Sequence, residues 1–530
     1  MGTILNPVLR GFNPDPSFLR VEDDYYLATS TFEWFPGVQI HHSRDLIHWR
    51  LISRPLERTS QLNMAGDLNS GGVWAPCLSY DNGLFYLIYT EVKTKGQTRF
   101  RDVHNYLVTS PSITGEWSDP IFLNSSGFDP SLFHDRDGRK WLVNMLCDYR
   151  VRNNRFAGIV LQEYSIREQR LVGPITNIFK GTELGRTEGP HLYHWHGYYY
   201  LITAEGGTGF GHAVTCCRSR EITGPYEVDP AGPILTSRYN PNLTLQRAGH
   251  GSIVETQQGE FYMAHLCGRP LPHRGRSVLG RETAIQKLVW TDRHWLRLAN
   301  GGNQPEVAVP APTLPEHPWP EEPARDDFDS PVLSRQFQTL RIPLGEDSLS
   351  LTERPGFLRL KGRESLASKY QQSLIARRQQ AFCYTATTCV EFEPDAFQQL
   401  AGLVCLYDTQ NFYYLRISHD ELLGKTLGII ACQNEQITEP VDPELTIGGW
   451  ERVYLQVRVD YDRLQFYYAS DDQDWRRIGP VLDASILADE CCMEGQHTGA
   501  FVGLCCQDLS GRRRAADFDF FEYRERELTK

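Results

Sequence analysis

The chain has 530 residues, 40% of them hydrophobic and 23% charged, a composition ordinary for a globular protein and long enough for two or three domains. A formal net charge of −12 argues against nucleic acid or an anionic membrane surface as the main partner. No apolar stretch is long enough to cross a bilayer, and residues 1–12 hold no apolar run of signal-peptide length.

Taken in chain order, five short phrases each lead into a predicted strand. They are Asp15-Pro16-Ser17-Phe18, Ala75-Pro76-Cys77-Leu78, Asp129-Pro130-Ser131-Leu132, Gly189-Pro190-His191-Leu192 and Gly249-His250-Gly251-Ser252-Ile253. Marked at their second positions (Pro16, Pro76, Pro130, Pro190, His250), they are 60, 54, 60 and 60 residues apart. After each comes a polar turn and an aromatic strand, such as Asp81-Asn82-Gly83 before Phe85-Tyr86-Leu87. A second echo follows in phase: Ser43 before Trp49, Ser110 before Trp117, Ser219 before Tyr226. This periodicity predicts a five-bladed β-propeller whose first strands face one axis. The repeat fades after Lys287-Leu288-Val289-Trp290, which places the propeller at residues 1–302.

Residues 303–325 carry seven prolines, from Pro305 to Pro323, and read as a stiff, extended linker unable to form regular ladders. Residues 326–530 alternate in predicted strands over 384–392, 412–417, 453–459 and 464–469, with no helical period. An antiparallel β-sandwich is the expected second domain, and the fold class is all-β. The 13 cysteines include adjacent pairs at 216–217, 491–492 and 505–506. In strands such neighbours point to opposite faces, so they predict buried thiols in a reducing cytoplasm rather than disulfides or a zinc site.

Three of the five phrases bring a carboxylate to the axis: Asp15, Asp129 and Glu188. Hydrolysis of a glycosidic bond needs one carboxylic acid to protonate the leaving oxygen and one carboxylate opposite it. The longer Glu188 arm suits the donor and the shorter Asp15 a base holding water, with Asp129 as a third negative charge that raises the donor's pKa. An acid beside proline also caps turns, but three in register on different blades favour a site. Arg281, where a last inner strand is expected to start, suits a guanidinium fork for sugar hydroxyls and one carboxylate; a surface ion pair is the plainer alternative. His250 faces the axis, where it bonds a hydroxyl, holds a hydrated cation or is simply a core histidine. Phe32, Trp34, Trp74 and Phe128 lie beside the same phrases and form either sugar-facing walls or core. His191, His194 and His196 lack an evident third zinc partner.

Taken together, Phe12-Asn13-Pro14-Asp15-Pro16-Ser17, Thr31-Phe32-Glu33-Trp34-Phe35-Pro36-Gly37, Trp74-Ala75-Pro76, Ser126-Gly127-Phe128-Asp129, Thr187-Glu188-Gly189-Pro190-His191-Leu192 and Gly280-Arg281-Glu282-Thr283-Ala284 resemble glycoside hydrolase family 43. Within it they resemble the two-domain β-xylosidases, over essentially the whole chain. The resemblance implies an inverting enzyme with Asp15 as general base, Glu188 as general acid and Asp129 tuning and orienting the acid. Arg281 would bind the non-reducing-end sugar, with Phe32, Trp74, Phe128, Thr208 and His250 around it. The implied substrate is a β-1,4-xylo-oligosaccharide cut one xylose at a time, with α-L-arabinofuranosides also accepted and a concanavalin-like sandwich helping to close the pocket. A cytoplasmic homo-oligomer with no required cofactor is implied, a divalent cation such as calcium being allowed near His250. Two departures bear on the leaving group: Cys147 stands where relatives commonly carry Trp, and Gln496-His497 where they bring an aromatic from the sandwich. The rivals are a mainly α-L-arabinofuranosidase enzyme and a non-catalytic sugar-binding propeller. Inversion requires the acid and base roughly 6.5–9.5 Å apart.

Overall fold

The structure is a computed structural model, which describes residues 2–526 except 96–97, 274 and 494–495. The outermost ends of the two expected domains, Met1 and residues 527–530, lie outside the described residues. Five antiparallel sheets form the blades. Their inner strands are Ser17–Val21, Gly72–Asp81, Ser131–His134, Glu188–Trp195 and Gln246–Glu255, each overlapping one of the five phrases. The first hairpins close on two-residue turns with both φ positive where the sequence supplies Asn82-Gly83 and His196-Gly197. That conformation matches the twist of paired strands, and Asn and Gly adopt it at least cost.

The register of the fifth phrase differs from the expected one. The pairings Trp74↔Thr90 then Cys77↔Ile88, Glu188↔Ala204 then His191↔Ile202, and Gly249↔Leu266 then Ser252↔Ala264 each enclose a bulge of two residues. His250 therefore matches Ala75 and Gly189, and Gly251 matches the prolines. The repeat also runs past Trp290: Leu296–Leu298 is the outer strand of the fifth blade. The proline-rich segment is not ladder-free. Ala308–Pro310 pairs with Thr3–Leu5 through Thr3↔Pro310, Ile4↔Val309 and Leu5↔Ala308. Prolines spare Val307, Ala308 and Val309, whose backbone is free to pair, and Pro310 sits at the strand's end, where a missing N–H is tolerated.

The second domain is two packed sheets. One is built on Cys383–Glu391, Val453–Asp460, Arg463–Ala469 and Ala515–Glu525; the other on Ser373–Arg378, Gln399–Asp408, Asn411–Asp420, Gly424–Gln433 and Phe501–Asp508. The second sheet is buried on both faces. Ile375, Leu403, Val502 and Leu504 point into the sandwich, while Leu374, Val404, Phe501 and Cys505 pack with propeller residues including Phe12, Phe32 and Trp34. Alternate residues thus serve two cores, which explains why these strands read as nearly continuous apolar runs. Thr339-Leu340 adds a short ladder to Trp34-Phe35, joining the domains by backbone as well. All thirteen cysteines are free thiols. Cys505 and Cys506 point to opposite faces, but Cys491-Cys492 is not in a strand: Cys491 ends a 3-10 turn, Asp489–Cys491.

Candidate active site

The five blades present equivalent residues at the axis, and all five are left-handed: Asp15 (φ 55°), Ala75 (33°), Asp129 (54°), Gly189 (56°) and His250 (56°). Such a backbone is costly for residues with a Cβ, and its recurrence marks a constraint common to every blade. Asp15 and Asp129 thus share one level of the funnel. Glu188 lies one residue earlier, at the level of Trp74 and Phe128. At Gly189 an added Cβ would meet the His250 ring at 3.0 Å, so glycine lets that ring pack against the backbone next to Glu188 across neighbouring blades.

Asp15 is buried and held from several sides. Ser30 Oγ donates to its Oδ2 at 2.7 Å and Arg281 Nη1 to its Oδ1 at 2.7 Å, while His250 Nδ1 lies 4.0 Å from Oδ1. Burial pushes its pKa up, but Arg281, His250, Ser30 and His212 together outweigh that and hold it below the usual carboxylate value. Glu188 behaves in the opposite way. Burial and then the Asp15 charge push it up to about 7, against the pull of Arg101, Arg281 and Arg186. Asp129 is also pushed up, by burial first and then by Glu188 and Asp15. The charge on Asp15 thus raises both of its carboxyl neighbours. Asp15 is held down by the guanidinium that Asp129 lacks. Asp129 Oδ2 instead accepts a hydrogen bond from Gly189 N at 3.0 Å, fixing the backbone next to Glu188.

Arg281 is buried, not part of a surface ion pair, and it opens the third strand of the fifth blade, Arg281–Trp290, rather than an inner one. The loop before that strand delivers it to the funnel's mouth, and its long side chain reaches back to Asp15. Its Nη2 donates to the His497 carbonyl at 3.1 Å and its guanidinium lies 5.3 Å from the Phe32 ring centre. Phe32, Trp74 and Phe128 form one wall, with ring centres 5.7 Å and 5.6 Å apart in succession. His497, from the sandwich, closes that wall at 6.1 Å from Phe32 and 5.8 Å from Trp74, its imidazole driven far below its usual pKa by burial and by the Lys95, Arg281 and Arg101 charges. Trp34 does not join the wall. It stacks on Phe501 at 3.7 Å in the seam between domains.

These residues line a cavity of about 470 Å³, within the range of small-molecule sites. Asp15, Phe32, Trp74, Phe128, Asp129, Glu188, Thr208, His250 and Arg281 all face it. Met145 rather than Cys147 lines it; the Cys147 thiol sits behind, 3.6 Å from the Met145 sulfur. His194 and His196 pack elsewhere, against Tyr199 and His294. Among the described residues no three His, Cys, Asp or Glu side chains gather to hold a metal ion.

Sequence reasoning missed Arg101, Arg155 and Arg186, which also face the cavity. Arg101 and Arg155 sit at or just before the third strands Val103–Ser110 and Phe156–Ser165, as Arg281 does in the fifth blade and His212 in the fourth. The signal is a basic residue entering the third strand of the second to fifth blades, absent from the first, where Val38 precedes Gln39–Ser43. It is hard to read because the preceding loops differ in length from blade to blade.

The model for glycosyl hydrolases family 43 matches residues 4–296, and that for the β-xylosidase C-terminal concanavalin A-like domain matches residues 325–524. The chain is similar to the crystal structure of a xylan β-1,4-xylosidase from Bacillus halodurans C-125, with 56% identity and a TM-score of 0.97 over 98% of this chain and 100% of that one. It is 51% identical to xylosidase/arabinosidase 43B of Humicola insolens over 99% of this chain and 98% of the relative. It is 50% identical to a xylan 1,3-β-xylosidase of a Vibrio species, over 99% of each.

Proposed function

The chain belongs to glycosyl hydrolases family 43, and on that premise we propose that it is an exo-acting, inverting β-xylosidase releasing xylose from the non-reducing end of β-1,4-xylo-oligosaccharides. The observation that carries the proposal is the opposite treatment of two carboxyls in one cavity: Asp15 is held ionised while Glu188 is pushed up to about 7. Asp15 takes a proton from a water that attacks the anomeric carbon. As the glycosidic bond breaks, Glu188 gives its proton to the departing oxygen. The xylose leaves with inverted configuration, and the two carboxyls return to their starting states by exchange with water. Asp129 positions Glu188 through the Gly189 amide. Arg281 keeps Asp15 charged, and the Phe32–Trp74–Phe128 wall offers an apolar surface to the C–H faces of the sugar.

Proton NMR of xylobiose hydrolysis tests the proposal: α-xylose appears first if configuration inverts, and β-xylose first would overturn the base assignment. A second reading, mainly α-L-arabinofuranosidase, is raised by the name of the Humicola relative, which gives arabinosidase beside xylosidase. Turnover of 4-nitrophenyl β-D-xyloside and α-L-arabinofuranoside side by side separates them. Parallel assays on β-1,4- and β-1,3-xylobiose address the linkage that the Vibrio relative's name raises. The same proposal includes a cytoplasmic homo-oligomer, which the thirteen free thiols support as to compartment. It also includes turnover without a divalent cation, tested by rates with and without chelator.

A further inference from the structure

The cavity has two electrostatic sides. On the Asp15 side the cation is Arg281, paired at 2.7 Å. On the Glu188 side Arg101, Arg155 and Arg186 face the same space from the second, third and fourth blades. None of these three forms an ion pair with a carboxylate among the described residues, although neighbours such as Arg139 and Arg150 are locked onto Asp137 and Asp148 at 2.7 Å and 2.6 Å. Among the described residues, Arg155 donates only to the Thr98 carbonyl, at 3.1 Å, and Arg101 Nε is buried without a partner. The Arg101 and Arg155 charges repel one another. Arg101 and Arg186 act on the Glu188 carboxyl from a distance, but in a chain of net charge −12 three arginines around one opening with no ion pair of their own leave positive charge available to an entering anion.

Glu188 faces the leaving group, so these arginines surround the position of the sugar that departs. We propose that the leaving-group side of the cavity recognises a carboxylate, so that xylo-oligosaccharides whose departing portion carries a uronic acid are preferred over neutral ones of the same length. This rests on the xylosidase reading above and adds the chemical class of the leaving group. Guanidinium forks suit a planar carboxylate through paired N–H donors, and an entering acid meets three of them. Arg101 and Arg155 are partly buried, which limits the screening that weakens exposed pairs.

Two aryl xylosides of matched leaving-group acidity test it: 4-(carboxymethyl)phenyl β-D-xyloside and its neutral amide, 4-(carbamoylmethyl)phenyl β-D-xyloside. The readout is the ratio of their kcat/KM values, in which any general loss of rate cancels. The expected ratio for the unaltered protein is roughly tenfold in favour of the acid at low salt, falling towards 1 at high salt. It falls similarly in Arg155→Gln and Arg186→Gln, and further when the two are combined. A ratio at or below 1 in the unaltered protein overturns the proposal. So does a preference for the acid that survives both substitutions and high salt. Turnover of the amide without preference for the acid defeats this proposal alone, whereas turnover of neither glycoside defeats the xylosidase reading and this proposal with it.

Discussion

Asp15 and Asp129 are the same residue type, at the same place in two blades, in the same left-handed conformation, yet their environments drive them to opposite protonation behaviour. The difference lies in their partners: Arg281 bonds to Asp15, and a lone backbone amide to Asp129. Asp15→Asn is expected to lower kcat/KM roughly 10²–10⁴-fold while leaving the circular dichroism spectrum and melting point near those of the parent. A rate within a few fold of the parent would remove Asp15 from the base role. The pH profile follows from the same contrast. The donor must be protonated, so activity is lost as pH rises through the Glu188 value of about 7; the base must be ionised, and its lowered pKa puts the acid limb below the usual carboxylate range. Arg281→Gln removes the partner that holds Asp15 down, so the acid limb of kcat/KM is expected to move to higher pH. An acid limb unmoved by that change would mean that Asp15 does not set it.

At the scale of strands and loops, the site depends on where the two domains touch. Gly280 has φ +68°, and a Cβ there would run into the Thr498 carbonyl and lie 2.9 Å from Gly499 Cα. Gly280→Ala is therefore expected to cost about 1–3 kcal/mol of stability and to raise KM, since Arg281 and His497 are displaced together. Thermal unfolding and steady-state kinetics on the same preparation check both. The inner strands were legible because Asp15-Pro16, Asp129-Pro130 and Gly189-Pro190 repeat a conformational demand as well as a letter pattern. His250 was legible as axial but off by one position, since Gly251 stands where the other blades have proline and the bulge restores the register. Arg101 and Arg155 were not legible, because the loops that carry them follow no common spacing. Trp34 and Phe32 lie two residues apart in one aromatic phrase, and only tertiary packing sends one to the domain seam and the other to the cavity.

At the scale of the whole molecule, propeller and sandwich do not behave as separable parts. Arg341, from the second domain, is fully buried in the first, where its Nε donates to the Asp67 carbonyl at 2.8 Å and its Nη2 to Asn69 Oδ1 at 2.9 Å. Arg378 reaches the Phe12 carbonyl at 2.6 Å in the same way. Calorimetry is expected to show one unfolding transition for the whole chain, and Trp34→Ala, which removes the ring stacked on Phe501, is expected to cost about 3–5 kcal/mol. Two resolved transitions would refute that coupling. The short ladder between Thr3–Leu5 and Ala308–Pro310, and the stacking of Trp34 on Phe501, also set an order of events during synthesis. Thr3–Leu5 and Trp34 wait for partners translated about 300 and 470 residues later, at the slow pace of chain elongation. A nascent chain thus carries an unsealed ring and an unmated apolar face for most of its translation. A stop codon ahead of Phe501 would leave the Trp34 face permanently unmated, for chaperones and proteases to deal with.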